Sequence, residues 1–170
     1  MIGSGKSCLS HALQAESGGI ILSFGGYVRR ESVGRGEGVD RNTLQRMGAE
    51  LLDELGWEGF CTAALKTSGW PNSGGSLIID GIRHREVVET LKLILLPLPF
   101  ALVFVDIECT IRLERLRSRG VLGKKEALAV DSHSTEQQVP SELRAMSDLQ
   151  LDGSLPLADN MRLIHKLGLY

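Results

Sequence analysis

Four short apolar runs alternate with stretches of helical periodicity, and this alternation restricts the fold more than any other feature of the chain. The runs are Gly19 to Ser23 (GIILS), Ser76 to Asp80 (SLIID), Ala101 to Asp106 (ALVFVD) and Asp148 to Asp152 (DLQLD). The first three are almost continuously apolar, as strands buried on both faces of a parallel sheet are. Helical patterns occupy Ser7 to Glu16, Asn42 to Leu65, Arg85 to Leu95, Thr110 to Arg119 and Gln138 to Ala145. Within the second, Leu44, Met47, Leu51 and Leu55 recur at helical spacing and predict one buried stripe. Strands separated by helices predict an α/β fold, a parallel sheet covered on both faces in a three-layer αβα sandwich. A length of 170 residues predicts a single domain, 1–170, with a sizeable core.

Composition narrows the partners. The apolar fraction is 42% and the charged fraction 24%, both ordinary for a water-soluble globular chain. A formal net charge of -2 gives no reason to expect nucleic acid. The longest apolar run, Leu93 to Val105, is interrupted by Pro97 and Pro99 and falls short of the roughly 20 residues of a membrane span. The N-terminus is glycine-rich and polar, unlike a secretory signal, so a cytoplasmic location and no membrane partner are expected. Cys8, Cys61 and Cys109 lie far apart without metal-ligand spacing and read as small buried thiols of a reducing compartment.

The sharpest local signal is Gly3-Ser4-Gly5-Lys6-Ser7, which leads straight into a helical pattern. Gly5, Lys6 and Ser7 match the last three positions of the phosphate-binding pattern GxxxxGK[ST]. Glycines let successive backbone N–H groups turn inward around a phosphate with no Cβ in the way. The helix that starts here adds its positive end. Lys6 would reach the β- and γ-phosphates of ATP, and the Ser7 hydroxyl would ligate Mg²⁺. Gly3 to Cys8 are the expected nucleotide-binding stretch. The first glycine of the pattern would fall one position before Met1, so the strand that launches such a loop is expected to be missing. Its neighbours would then have open edges, suited to a second copy or to a partner protein.

Leu77 to Asp80 continues into Gly81-Ile82-Arg83. An acid at the C-terminal end of a buried parallel strand lies where α/β proteins bind ligands, so Asp80 is the candidate second group for Mg²⁺. Gly81 permits close backbone approach, and Arg83 is a candidate for an acceptor phosphate. Arg112, Arg115 and Arg119 recur at helical spacing, with Leu113 and Leu116 expected to face the core. No aromatic residues interleave with these arginines, which weighs against a nucleic-acid surface. In Gly120 to Pro140, the pair His133 and Glu136 lacks an evident third metal ligand.

Ser23 to Arg30 (SFGGYVRR) resembles the segment after the second strand of adenylate kinases, although Gly26 stands where that family usually has Asp. GSGKS, SFGGYVRRE, TLQRMGAELLDELGWEGF, LIIDGIRHREVVE, FVDIECTIRLERLRSRG and LRAMSDLQLD together span residues 3 to 152. In order and spacing they resemble the adenylate-kinase-like P-loop ATPases, including dephospho-CoA-kinase-related proteins. The resemblance implies a P-loop NTPase fold whose first strand is missing, with an acceptor-binding helical insertion over 24–66 and a short lid over 120–140. It implies that Arg29 binds the phosphate of the acceptor, that Arg115 stacks on the nucleotide base and that Arg119 reaches the phosphates. The implied activity is transfer of the γ-phosphoryl of ATP to a nucleoside monophosphate. A dephospho-CoA-type kinase and a nucleotide-binding assembly protein with little turnover are the alternatives.

Overall fold

A computed structural model of the chain describes residues 3–70, 75–118 and 141–168. In chain order its elements are α1 (Lys6–Ser17), β1 (Ile20–Ser23), α2 (Phe24–Gly34), α3 (Arg41–Ser68), β2 (Leu77–Asp80), α4 (Arg85–Ile94), β3 (Val103–Asp106), α5 (Cys109–Ser118), β4 (Leu149–Asp152) and α6 (Leu157–His165). A short helix over 141–146 precedes β4. The expected alternation is present: every apolar run is a strand, and every pairing is parallel. The described strands form two separate two-stranded sheets, β1 with β2 and β3 with β4, where the sequence predicted one sheet. The protein is mixed α/β, and it divides into two compact units.

The first unit holds residues 1–12, 83–85 and 99–170. Its strands pair in register, Val103 with Leu149 through Asp106 with Asp152, so two aspartates finish side by side at the C-terminal ends. Val105 and Leu151 are buried, as are Leu116 of α5 and Met161 and Ile164 of α6. The Asp148 carboxylate accepts a hydrogen bond from the Leu102 N–H at 2.7 Å and fixes the start of the ladder.

The second unit holds residues 13–82 and 86–98. Ile20 pairs with Leu77 and Ser23 with Asp80. Behind the strands, α2 and α3 pack through aromatic rings. Phe24 stacks on Phe60 with centroids 5.4 Å apart, and Tyr27 meets the same ring edge-on, geometries that the quadrupoles of aromatic rings favour. On the exposed side, Arg35 makes a forked ion pair with Glu54 at 2.7 and 2.9 Å. Asp40 caps α3 by accepting from the N–H groups of Asn42 and Thr43, both at 3.1 Å.

Three expectations need correction. Met47 and Leu51 are buried as the stripe predicts, but Leu55 is 42% exposed. Gly56 adopts φ 64°, which interrupts α3 one residue later and ends the stripe. Cys61 is buried, whereas Cys8 and Cys109 are exposed, because α1 and α5 each turn that position outward near their first residues. On α5, Leu116 is buried and Leu113 half-buried, and the remaining buried position belongs to Arg112.

Candidate functional site

Residues 3–5 form a tight turn that enters α1 at Lys6. The turn depends on left-handed backbone at Gly3 (φ 85°) and Gly5 (φ 92°), conformations that L-side chains strain to adopt. The Leu9 N–H reaches the Gly5 carbonyl at 3.1 Å and closes the first helical turn. The N–H groups of the first residues of α1 have no intrahelical acceptor, so this end attracts an anion.

Four residues lie against the turn. Leu116 and Arg112 of α5 lie against Gly3, where an added Cβ would sit 3.2 and 3.3 Å from their side-chain carbons. The Ser4 carbonyl presses against Gly153, the residue directly after β4, leaving no room for a Cβ there. The guanidinium of Arg115 donates to the Gly153 carbonyl at 2.8 Å, and its Nη1 lies 3.9 Å from where a Gly5 Cβ would be. Ser4 is buried, and its hydroxyl accepts a bond from Lys6 Nζ at 3.2 Å. Lys6, Arg115 and the turn lie together within the first unit. Ser7 and Cys8 follow on the exposed first turn of α1.

A surface cavity of about 450 Å³ opens at the C-terminal ends of β3 and β4, lined in part by Asp106, Ile111, Arg144, Gln150 and Asp152. Arg144 pairs with Asp106 at 3.1 Å. The Asp152 carboxylate accepts from the Ser154 hydroxyl at 2.6 Å and its N–H at 2.8 Å, which holds its pKa below the ordinary value. Sequence reasoning did not single out Asp106, Asp152 or Gly153. The signal was present, because Asp152-Gly153 after a strand repeats the Asp80-Gly81 pattern.

Asp80 ends β2 in the second unit, half-buried and opposite Ser23. Gly81 (φ 90°) follows and approaches the start of α2, with an added Cβ 3.8 Å from the Gly25 nitrogen. Ser23 caps that helix by accepting from the Gly26 N–H at 3.1 Å. Arg29 is exposed on α2. Arg83 is exposed between β2 and α4. Arg119, His133 and Glu136 lie outside the described residues.

No group of three His, Cys, Asp or Glu side chains among the described residues is arranged to hold a metal ion. A hydroxyl such as Ser7 supplies one hard oxygen, and Mg²⁺ commonly takes one or two protein oxygens with the rest from phosphate and water. No described helix is long and apolar enough to cross a membrane. Comparison with protein-family models and with curated protein sequences finds no match.

Proposed function

We propose that this chain is a P-loop phosphotransferase that moves the γ-phosphoryl group of ATP to a small acceptor, with a nucleoside monophosphate favoured. One observation carries the reading: the Gly3–Ser7 turn, the N-terminus of α1, Lys6 and Arg115 converge within a single unit. A glycine turn, a helix end and two cations suit a polyphosphate. The adenylate-kinase-like resemblance adds the fold and the acceptor.

In this reading the turn amides and Lys6 hold the β- and γ-phosphates, and Arg115 and Arg119 offset charge that develops on the transferring group. Ser7 would hold Mg²⁺, which would supply charge neutralisation at the phosphates, and Asp80 is the second ligand that the sequence pattern offers. Arg29 and Arg83 fix the acceptor. The acceptor's own oxygen attacks, so positioning and electrostatics suffice and no nucleophilic side chain is needed. The site is read as cytoplasmic. Acceptor-dependent release of ADP across a panel of nucleoside monophosphates and dephospho-CoA tests the proposal, with Lys6→Ala as the inactive control. Turnover that survives Lys6→Ala contradicts it.

The second reading, a nucleotide-binding assembly protein with little turnover, draws on the sheets. Each described pair has only two strands, and such pairs are marginal until further strands or packing support them. Their outer edges suit a second copy or a partner's strand. Tight ATP binding without transfer to any acceptor favours this reading.

A further inference from the structure

Arg112 has no part in the site as the sequence describes it. It lies one helical turn before Leu116 on the face of α5 that packs inward, and it is only 3% exposed. Its stem crosses Gly3, with Cγ 3.3 Å from where a Cβ would stand, so the side chain lies directly behind the phosphate-loop candidate. A helix that buries positions 112 and 116 ordinarily fills both with aliphatic side chains, since removing a guanidinium from water is costly. The long stem replaces the packing of a leucine while adding a permanent positive charge.

That charge is held out of solvent within a side chain's reach of the turn. Buried charges are screened by salt far less than exposed ones, so a cation here acts on an anion in the turn without touching it. Lys6 and Arg115 could contact the ligand directly, whereas Arg112 would act through the low-dielectric loop backbone. The effect of such a field grows with the charge on the ligand and vanishes for a neutral one.

We propose that Arg112 is a positioning residue that makes the Gly3–Ser7 turn discriminate ligands by phosphate count, favouring tri- over di- and monophosphates. The inference rests on the phosphate-loop reading above. Dissociation constants of the full chain for adenosine, AMP, ADP, Mg·ATP and inorganic triphosphate, measured by calorimetry, test it. Arg112→Met should weaken triphosphate binding about tenfold, ADP binding less and adenosine binding not at all, the graded loss expected of a Coulomb interaction. Arg112→Lys should restore most of the loss. The dependence of triphosphate binding on salt should change little in the Met variant, because a buried charge is weakly screened. Arg112→Gln replaces the Met variant if the latter does not melt cooperatively. Equal weakening across the series, or none, overturns the inference. If Lys6→Ala abolishes binding while the Arg112 variants bind as the parent does, this inference alone fails. If the parent binds no polyphosphate, the loop reading fails and takes this inference with it.

Discussion

Gly153→Ala isolates the packing that holds the candidate phosphate turn. The residue is buried, and its φ is not in the left-handed region, so backbone strain does not explain a glycine there. Steric exclusion does. An added Cβ would press against the Ser4 carbonyl oxygen closer than real Cβ atoms approach, and would lie 2.9 Å from the Asp106 carbonyl oxygen and 3.3 Å from Val105 Cγ1. Two of these three neighbours are backbone and cannot swing aside as a flexible side-chain tip would. The Gly153 N–H also donates to the Asp106 carbonyl at 2.6 Å, so displacing Gly153 lengthens that bond. Overpacking of this kind costs about 1–3 kcal/mol, and the weakened hydrogen bond adds up to about 1 kcal/mol. The loss should appear in urea denaturation as a lower midpoint at unchanged slope. Movement of Ser4 should also weaken Mg·ATP binding, because Ser4 lies within the turn. Gly34→Ala provides the control: nothing lies within 4 Å of its added Cβ, and its φ is not positive. Removing backbone freedom there should be neutral, or stabilise by about 0.4–1 kcal/mol. Equal stability and ATP affinity in Gly153→Ala and the parent would refute the contact between turn and strand end.

Arg115→Ala should weaken ATP binding, whereas Arg29→Ala should chiefly raise the acceptor KM; kinetics varying each substrate in turn separate the two, and indistinguishable effects contradict the donor–acceptor division. Cys8 and Cys109 are exposed, while burial raises the Cys61 pKa to about 11, so only the first two should alkylate rapidly in the native protein. Mg·ATP should slow labelling of Cys8, as peptide mapping would show. The raised Cys61 pKa also favours the native state below the unfolded value of about 9, and that contribution should be lost as pH rises from about 9 to about 11, a loss absent in Cys61→Ala. Bonds from the Thr43 hydroxyl and backbone hold the Asp40 pKa below its ordinary value. Its capping contribution is therefore present above the unfolded carboxylate pKa and lost as pH falls through the lower folded value, so Asp40→Asn should flatten the acid limb of a melting-temperature profile.

Strand positions were legible because three of the runs are almost continuously apolar and every run has glycine or an acid at one end at least. The predicted ends of β1 through β4 differ from the observed ones by two residues at most. Partition of the strands into two pairs was not legible, since apolar character marks a buried strand without naming its neighbour. The Gly3–Ser7 turn could be read because its glycines and lysine are contiguous. Gly153 contributes through contacts 149 residues away in sequence from Ser4, a relation that local pattern does not encode. Arg112 was misplaced for a different reason: periodicity groups it with other arginines, whereas packing groups it with Leu116. The Gly56 kink likewise overrides a stripe that otherwise continues smoothly through Leu55.

Titration of the purified chain with Mg·ATP, followed by thermal denaturation beside Lys6→Ala, tests the central claim most directly. A melting temperature that rises with ligand concentration, as preferential binding to the native state requires, and does not rise in Lys6→Ala is the predicted result. No shift at roughly millimolar ATP, where even a weak ligand raises native stability by mass action, would contradict the assignment of Gly3–Ser7 as a nucleotide-binding loop.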